Sequence, residues 1–266
     1  MPTIVIDDAT LYYEDTGRGE PLVLVPGLSG RGSFWANQVP DFARDFRVIV
    51  HDHRGTGRST HSRIRYSVEQ MADDVVRLLD ALGVDSAHLV GHSTGGAIGQ
   101  VLALEHPRRI RSLVLSATWA GPDPYFRRLF ESRKGVLLSQ GVEAYLLASA
   151  LFLAPPAWIS ANDALLAEQH KTALAEAAPV EVTASRIDAI MRHDRRARLA
   201  DIRAPTLVIV AQDDVITPRF YSDELASRLP GAKLVVLDGG GHGVPGIDPA
   251  AYNDAVGAFL RAQLGR

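Results

Sequence analysis

The chain has 266 residues, 46% hydrophobic and 22% charged, which is enough apolar material for one large α/β domain or one domain with an insertion. A net charge of −3 argues against a polyanion-binding surface, so no nucleic-acid partner is expected. The absence of cysteine removes disulfides, a thiolate nucleophile and cysteine-based metal sites from consideration.

Residues 1–8 lack a basic segment followed by an apolar stretch, so no secretory signal is read there and the cytoplasm is the expected location. No apolar run approaches membrane-spanning length on this reading, and no membrane partner is expected. Residues 4–6 and 11–14 predict a short antiparallel hairpin; residues 22–25 and 47–52 predict apolar strands. The strand at 22–25 leads into Pro26-Gly27-Leu28-Ser29-Gly30. Gly27 permits a backbone path that turns the Leu28 N–H inward. Val68, Met71, Val75, Leu78, Leu79 and Leu82 recur at helical spacing, and Gly83 marks the helix end.

Residues 87–90 form an apolar run that enters Gly91-His92-Ser93-Thr94-Gly95-Gly96, and a small-residue helix follows to Glu105. This is G-x-S-x-G between a strand and a helix, the setting in which a sharp turn lifts a serine hydroxyl above a sheet. A phosphate-binding P-loop is excluded because no lysine follows the glycines. Residues 110–116 predict the next strand.

Residues 120–200 contain no convincing strand. Helices are predicted at 125–138, 142–151, 161–177 and 180–192, with Pro155-Pro156 between the two pairs. The expected organisation is therefore a core of residues 1–119 and 201–266, with a helical cap at 120–200. A hinge near Gly121-Pro122 and residues 200–205 would let the cap open. The alternation resumes with a strand at 205–211, then Gln212-Asp213-Asp214-Val215-Ile216-Thr217-Pro218. A strand at 233–237 precedes Asp238-Gly239-Gly240-Gly241-His242-Gly243, and a helix at 249–264 closes the chain. The fold class is α/β: a mostly parallel twisted sheet with helices on both faces.

A nucleophilic serine needs a base, and the base needs an orienting acid. His242 is the candidate base. The acid is Asp213 or Asp214, with Asp238 a remoter choice; all sit just past strand C-termini, where open α/β sheets place their sites. The N–H groups of Leu28 and Thr94 are the candidate oxyanion donors. The glycines around His242 are a weak phosphate cradle, since no helix is predicted directly after them.

Other features are set aside. His51-Asp52-His53 resembles a metal pair but lacks a further ligand at fixed spacing, so no metal is expected. Gly55-Thr56-Gly57 begins like a dinucleotide fingerprint without its third glycine, and no organic cofactor is expected. The basic run at 192–198, and Arg127, Arg128 and Arg133, read as solvent-facing. The alternative is that one of these arginines holds a substrate carboxylate.

The pattern resembles the α/β-hydrolase superfamily over essentially the whole chain. The resemblance rests on Pro26-Gly27-Leu28 with Trp35, on Asp52-His53-Arg54-Gly55-Thr56-Gly57-Arg58-Ser59, on Gly91 to Gly96, on Asp214 to Pro218 and on Gly241-His242. It implies Asp214 as the acid, because the family's acid lies four residues before that proline. Pro26 replaces the histidine that opens this loop in many relatives, and Ala211 replaces a glycine. The segments from Gly27 to Trp35, Arg54 to Gly57 and Leu151 to Trp158 are most similar to aminoacrylate hydrolases of pyrimidine degradation, with 3-oxoadipate enol-lactonases next. This implies a serine hydrolase acting on a small, polar or anionic ester, lactone or carbamate-like substrate through an acyl-enzyme. The same triad also serves cofactor-free perhydrolases of the haloperoxidase type, and a retained hydrolase fold can serve as a ligand receptor. Trp119, Phe126, Phe152 and Trp158 are the expected pocket residues, closing it around short acyl groups. A homodimer is compatible with the sequence.

Overall fold

The computed structural model describes residues 2–265. Its elements run in the order β1 (Thr3–Ile6), β2 (Ala9–Thr16), β3 (Glu20–Val25), α1 (Val39–Phe42), β4 (Phe46–His51), α2 (Val68–Ala81), β5 (Ala87–His92), α3 (Thr94–Glu105) and β6 (Ile110–Ser116). Then come α4 (Pro124–Leu153), α5 (Pro156–Ala161), α6 (Asp163–Ala175), α7 (Val180–Arg192), β7 (Thr206–Ala211), α8 (Arg219–Arg228), β8 (Lys233–Leu237), α9 (Val244–Ile247) and α10 (Pro249–Arg261).

The strands form one eight-stranded sheet in the order β1-β2-β4-β3-β5-β6-β7-β8. Only β1–β2 and β2–β4 pair antiparallel; the other pairs are parallel. Strands β5 and β7 are buried along their whole length, as continuous apolar runs in a two-sided parallel sheet require. Each face has its own core. One face buries Leu78, Leu79, Leu89, Ile98 and Leu113 under α2 and α3. The other buries Leu22, Trp35, Phe46, Ile209 and Leu260, with α10 across it. Each such side chain contributes about 1.5–3 kcal/mol when fully buried. Ser67 caps α2 by accepting from the Gln70 N–H at 3.0 Å, which contributes about 1 kcal/mol.

Because β3, β5, β6, β7 and β8 are parallel, their C-terminal loops share one edge. Backbone bonds carry the ladder past the strand ends: Ser93 N to Ser116 O, Ala117 N to Ile209 O and Gln212 N to Leu237 O, each 2.8 Å. The loops holding the candidate residues are therefore in fixed register.

Between β6 and β7 the chain is helical, with α4 packed on α7. Helix α4 is long and apolar enough, by length and composition, to cross a membrane, contrary to the sequence reading. However, Gly141 breaks it with φ 86° and ψ −178°, giving two halves close to the predicted 125–138 and 142–151. Each half is shorter than the about 20 residues a span needs. The predicted helix at 161–177 is present as α6, and a further short helix, α5, precedes it across Asn162. The expected hinge is cross-tied. Arg196 donates to the carbonyls of Gly121 and Pro122, and Arg195 N donates to Ala120 O at 2.8 Å.

Candidate active site

Ser93 sits between β5 and α3 with φ 54° and ψ −116°. A left-handed φ on a residue with a side chain costs about 1–3 kcal/mol and persists only where the surroundings impose it. Here the surroundings are backbone. A Cβ on Gly95 would strike the Val25 carbonyl, and one on Gly91 would strike the Gly95 carbonyl. A Cβ on Gly96 would fall 2.6 Å from the Thr118 side chain. Thr118 Oγ1 donates to the Ser93 carbonyl at 2.8 Å, pinning the turn from β6.

The structure brings Asp214 and His242 together. His242 Nδ1 lies 2.8 Å from Asp214 Oδ2, with both side chains buried. Asp214 is itself fixed by its own loop. Its Oδ1 accepts the N–H of Ile216 at 2.8 Å and of Thr217 at 2.9 Å, and its Oδ2 accepts Thr217 Oγ1 at 2.9 Å. Both carboxylate oxygens are thus engaged, which holds the side chain in one orientation. Asp213 points elsewhere: its Oδ1 accepts the Gly241 N–H at 2.8 Å and tethers the histidine loop. Asp238 is exposed.

His92, the residue before Ser93, packs against His242. The His92 ring lies 4.8 Å from the His242 ring and 4.8 Å from Phe34, and its Nδ1 is 3.0 Å from Ser116 Oγ. Burial holds His92 neutral, well below the usual histidine range. It forms an uncharged wall behind the candidate base. The sequence reading passed over it, since the middle position of G-x-S carries no chemical demand. Ser93 and His242 are only 6% and 4% exposed, so the site is covered.

The Leu28 loop approaches Ser93 closely: a Cβ on Gly27 would fall 3.2 Å from Ser93 Cβ. Among the described residues, neither the Leu28 N–H nor the Thr94 N–H has a protein acceptor. Thr94 opens α3, whose first N–H groups have no partner within the helix. The loop is held from below by the segment that looked like a metal or nucleotide motif. Asp52 Oδ1 accepts Gly32 N at 2.8 Å, His53 N donates to Gly30 O at 2.7 Å, and Thr56 Oγ1 donates to the same carbonyl at 2.9 Å. The His51 and His53 rings lie 5.1 Å apart, and Arg186 from α7 donates to His53 Nδ1 at 3.0 Å. Burial lowers His51 to about 4 and pushes His53 down as well. Arg186 also donates to Leu28 O at 3.2 Å and Arg54 O at 2.9 Å; burial lowers it to about 10.

Trp119 and Phe126 are sealed from solvent in an aromatic stack, 4.6 Å apart, with Phe130 4.5 Å beyond Phe126. Phe152 and Trp158 are half-buried, on α4 and α5. The basic run is not simply solvated. Arg195 pairs with Glu69, Arg196 with Glu224 at 3.0 Å and Arg198 with Glu105 at 2.6 Å. Arg127 and Arg128 are exposed as expected, but Arg133 is buried. The short helix α9 does follow the His242 glycines, contrary to the sequence reading.

Comparison with known proteins follows this geometry. The chain is 42% identical over 259 residues to the protein named "Putative carbamate hydrolase RutD" of Azorhizobium caulinodans, covering 97% of this chain and 98% of the relative. Its fold matches the enol-lactonase from Burkholderia xenovorans LB400 with a TM-score of 0.91 at 28% identity, covering 98% of this chain and 100% of that one. It also matches a thermophilic esterase from Thermogutta terrifontis, solved with malate bound, with a TM-score of 0.89 at 27% identity and 99% of each chain covered. The model of the alpha/beta hydrolase fold family matches residues 20–246, and the chain belongs to that family.

Proposed function

We propose that the chain is a serine hydrolase that cleaves a small carbamate-, lactone- or ester-type bond through an acyl-enzyme. The observation that carries this reading is the buried Asp214–His242 pair at 2.8 Å, together with a serine held at φ 54° at the C-terminal end of β5 in the same sheet. With Nδ1 engaged by Asp214, the other ring nitrogen of His242 is the one available for proton transfer. In this reading His242 takes the Ser93 proton as the hydroxyl attacks the carbonyl carbon. Asp214 fixes the tautomer and stabilises the imidazolium. The Leu28 and Thr94 N–H groups receive the developing oxyanion, and His242 returns its proton to the leaving group. Water, activated by the same ring, then releases the acyl group. The names of the RutD relative and the enol-lactonase support a carbamate- or lactone-type bond, and the malate-bound neighbour supports a small polar ligand.

The test is active-site labelling. A fluorophosphonate is expected to modify Ser93 alone, and Ser93→Ala is expected to lose label and about 10⁴–10⁶ in kcat with its fold intact. A variant keeping a tenth of the activity would refute the serine mechanism.

A further inference from the structure

Thr217 is sealed from solvent in the loop after β7, and its N–H and hydroxyl both serve one carboxylate. The N–H donates to Asp214 Oδ1 at 2.9 Å and the hydroxyl to Asp214 Oδ2 at 2.9 Å. The same hydroxyl oxygen lies 3.2 Å from His242 Nδ1, which is itself 2.8 Å from Oδ2. Thr217 Oγ1, Asp214 Oδ2 and His242 Nδ1 thus close a triangle behind the candidate base. The hydroxyl has little freedom to turn away. Threonine is stiff at χ1, and Pro218 confines the residue before it to an extended backbone.

The protons set the direction of each bond. A carboxylate only accepts, so the Thr217 hydroxyl proton goes to Oδ2. Nδ1 carries the imidazole proton toward the same oxygen. The Thr217 oxygen then accepts from Nδ1–H, as the minor partner of a three-centre bond. Oδ2 therefore divides its charge between two donors. Charge already stabilised by a hydroxyl leaves less to stabilise an imidazolium. The other groups near the pair do not take this part. His92, from the end of β5, packs 4.8 Å from the His242 ring but is held neutral by burial. Asp213 spends Oδ1 on the Gly241 N–H. Tyr125, from α4, gives its proton to the Val215 carbonyl, and burial raises its phenol above the usual range.

We propose that Thr217 is a positioning residue for the base: its hydroxyl, wedged between Asp214 Oδ2 and His242 Nδ1, keeps the pair from holding the transferred proton too tightly to return it to the leaving group. The proposal rests on the hydrolase reading above and adds a residue that acts through Asp214 rather than on substrate.

The experiment follows kcat/KM for p-nitrophenyl acetate against pH in wild type, Thr217→Val and Thr217→Ser. The acid limb of that profile reports the essential base of the free enzyme. Valine keeps the shape and removes the hydroxyl, so Oδ2 turns wholly to Nδ1–H and the imidazolium gains. The limb is expected to move up by about 0.5–1 pH unit, which lowers kcat/KM about three- to tenfold at pH values below it. Serine brings the hydroxyl back, and its limb is expected within about 0.2 units of wild type. Thermal melts establish folding, and Thr217→Ala decides the matter should Thr217→Val not fold. A limb unmoved or moved down without the hydroxyl, or moved as far by serine as by valine, overturns the proposal. A merely structural threonine would lower Tm and leave the limb in place. Proton NMR separates the two readings, because the far-downfield resonance of the Asp214–His242 hydrogen bond titrates without turnover. If no ester is cleaved but its midpoint rises by about 0.5 units or more in Thr217→Val, the role of Thr217 stands and the hydrolase reading fails. Equal midpoints overturn the role of Thr217.

Discussion

Asp214→Asn should cost on the order of 10⁴ in kcat with little loss of KM, because of how this carboxylate is held. The asparagine carbonyl can take over Oδ1, which accepts the N–H groups of Ile216 and Thr217. Its NH₂ then replaces Oδ2, which faces His242 Nδ1 at 2.8 Å and Thr217 Oγ1 at 2.9 Å. An amide donates there instead of accepting. The imidazole proton is driven to the other ring nitrogen, the one that must take the Ser93 proton. Folding is barely touched, since the two backbone bonds survive. Asp213→Asn is the internal control. Its Oδ1 accepts the Gly241 N–H, and an asparagine oxygen keeps that bond, so the loss should stay within about tenfold. Steady-state rates on p-nitrophenyl acetate, with thermal melts to establish folding, check both. A larger loss at Asp213 than at Asp214, or a loss under tenfold at Asp214, would refute the tautomer argument.

In a p-nitrophenyl ester series, kcat/KM should be highest for acyl chains of roughly C2–C6 and low at C12, because aromatic side chains pack a covered site; a steady rise through C12 would point to an open cleft. The fold should weaken in mild acid. His51 and His193 are buried and neutral, each lowered by burial to about 4 from an ordinary 6.5. As pH falls through 6.5 the unfolded chain takes up these protons first, so stability is complete above that pH. It declines until about pH 4, each ring accounting for about 3 kcal/mol in total and about 2 kcal/mol by pH 5. A drop in Tm of roughly 8 °C or more between pH 7.5 and pH 5 is expected, and a flat Tm across that range would count against it.

The sheet was legible because its strands are short apolar runs ended by glycine-rich turns, and residues 205–211 and 87–90 read as buried strands directly. Ser93 and His242 were legible for the same reason, being placed at strand ends by local pattern. The choice between Asp213 and Asp214 was not local. Adjacent carboxylates look alike in a sequence, and only the family resemblance favoured the one that meets His242 in space. The structural role of residues 51–57 was not legible in detail because their partners lie far off in the chain, on the Gly27–Gly32 loop. Arg133 was misread because charged residues on a helix usually face water, and nothing in the local pattern reports that α4 folds back at Gly141. The short helices α8 and α9 escaped notice because they are too brief to show a period.

Arg186 ties α7 to the carbonyl of Leu28, the residue whose N–H is the proposed oxyanion donor. Neighbouring bonds reinforce the tie: Ser185 Oγ to Ile64 O at 3.0 Å, and Arg192 Nη2 to Tyr66 O at 2.8 Å. By contrast, α5 and α6 contain no buried residue at all. Swinging the whole cap aside would therefore pull apart the donor loop it rests on, leaving the enzyme open but incompetent. Breathing of α5 and α6 alone would admit substrate and let product escape while the reacting groups stay assembled. Two parts of one inserted segment would thus divide the labour, α7 as a fixed buttress and the α5–α6 stretch as the door.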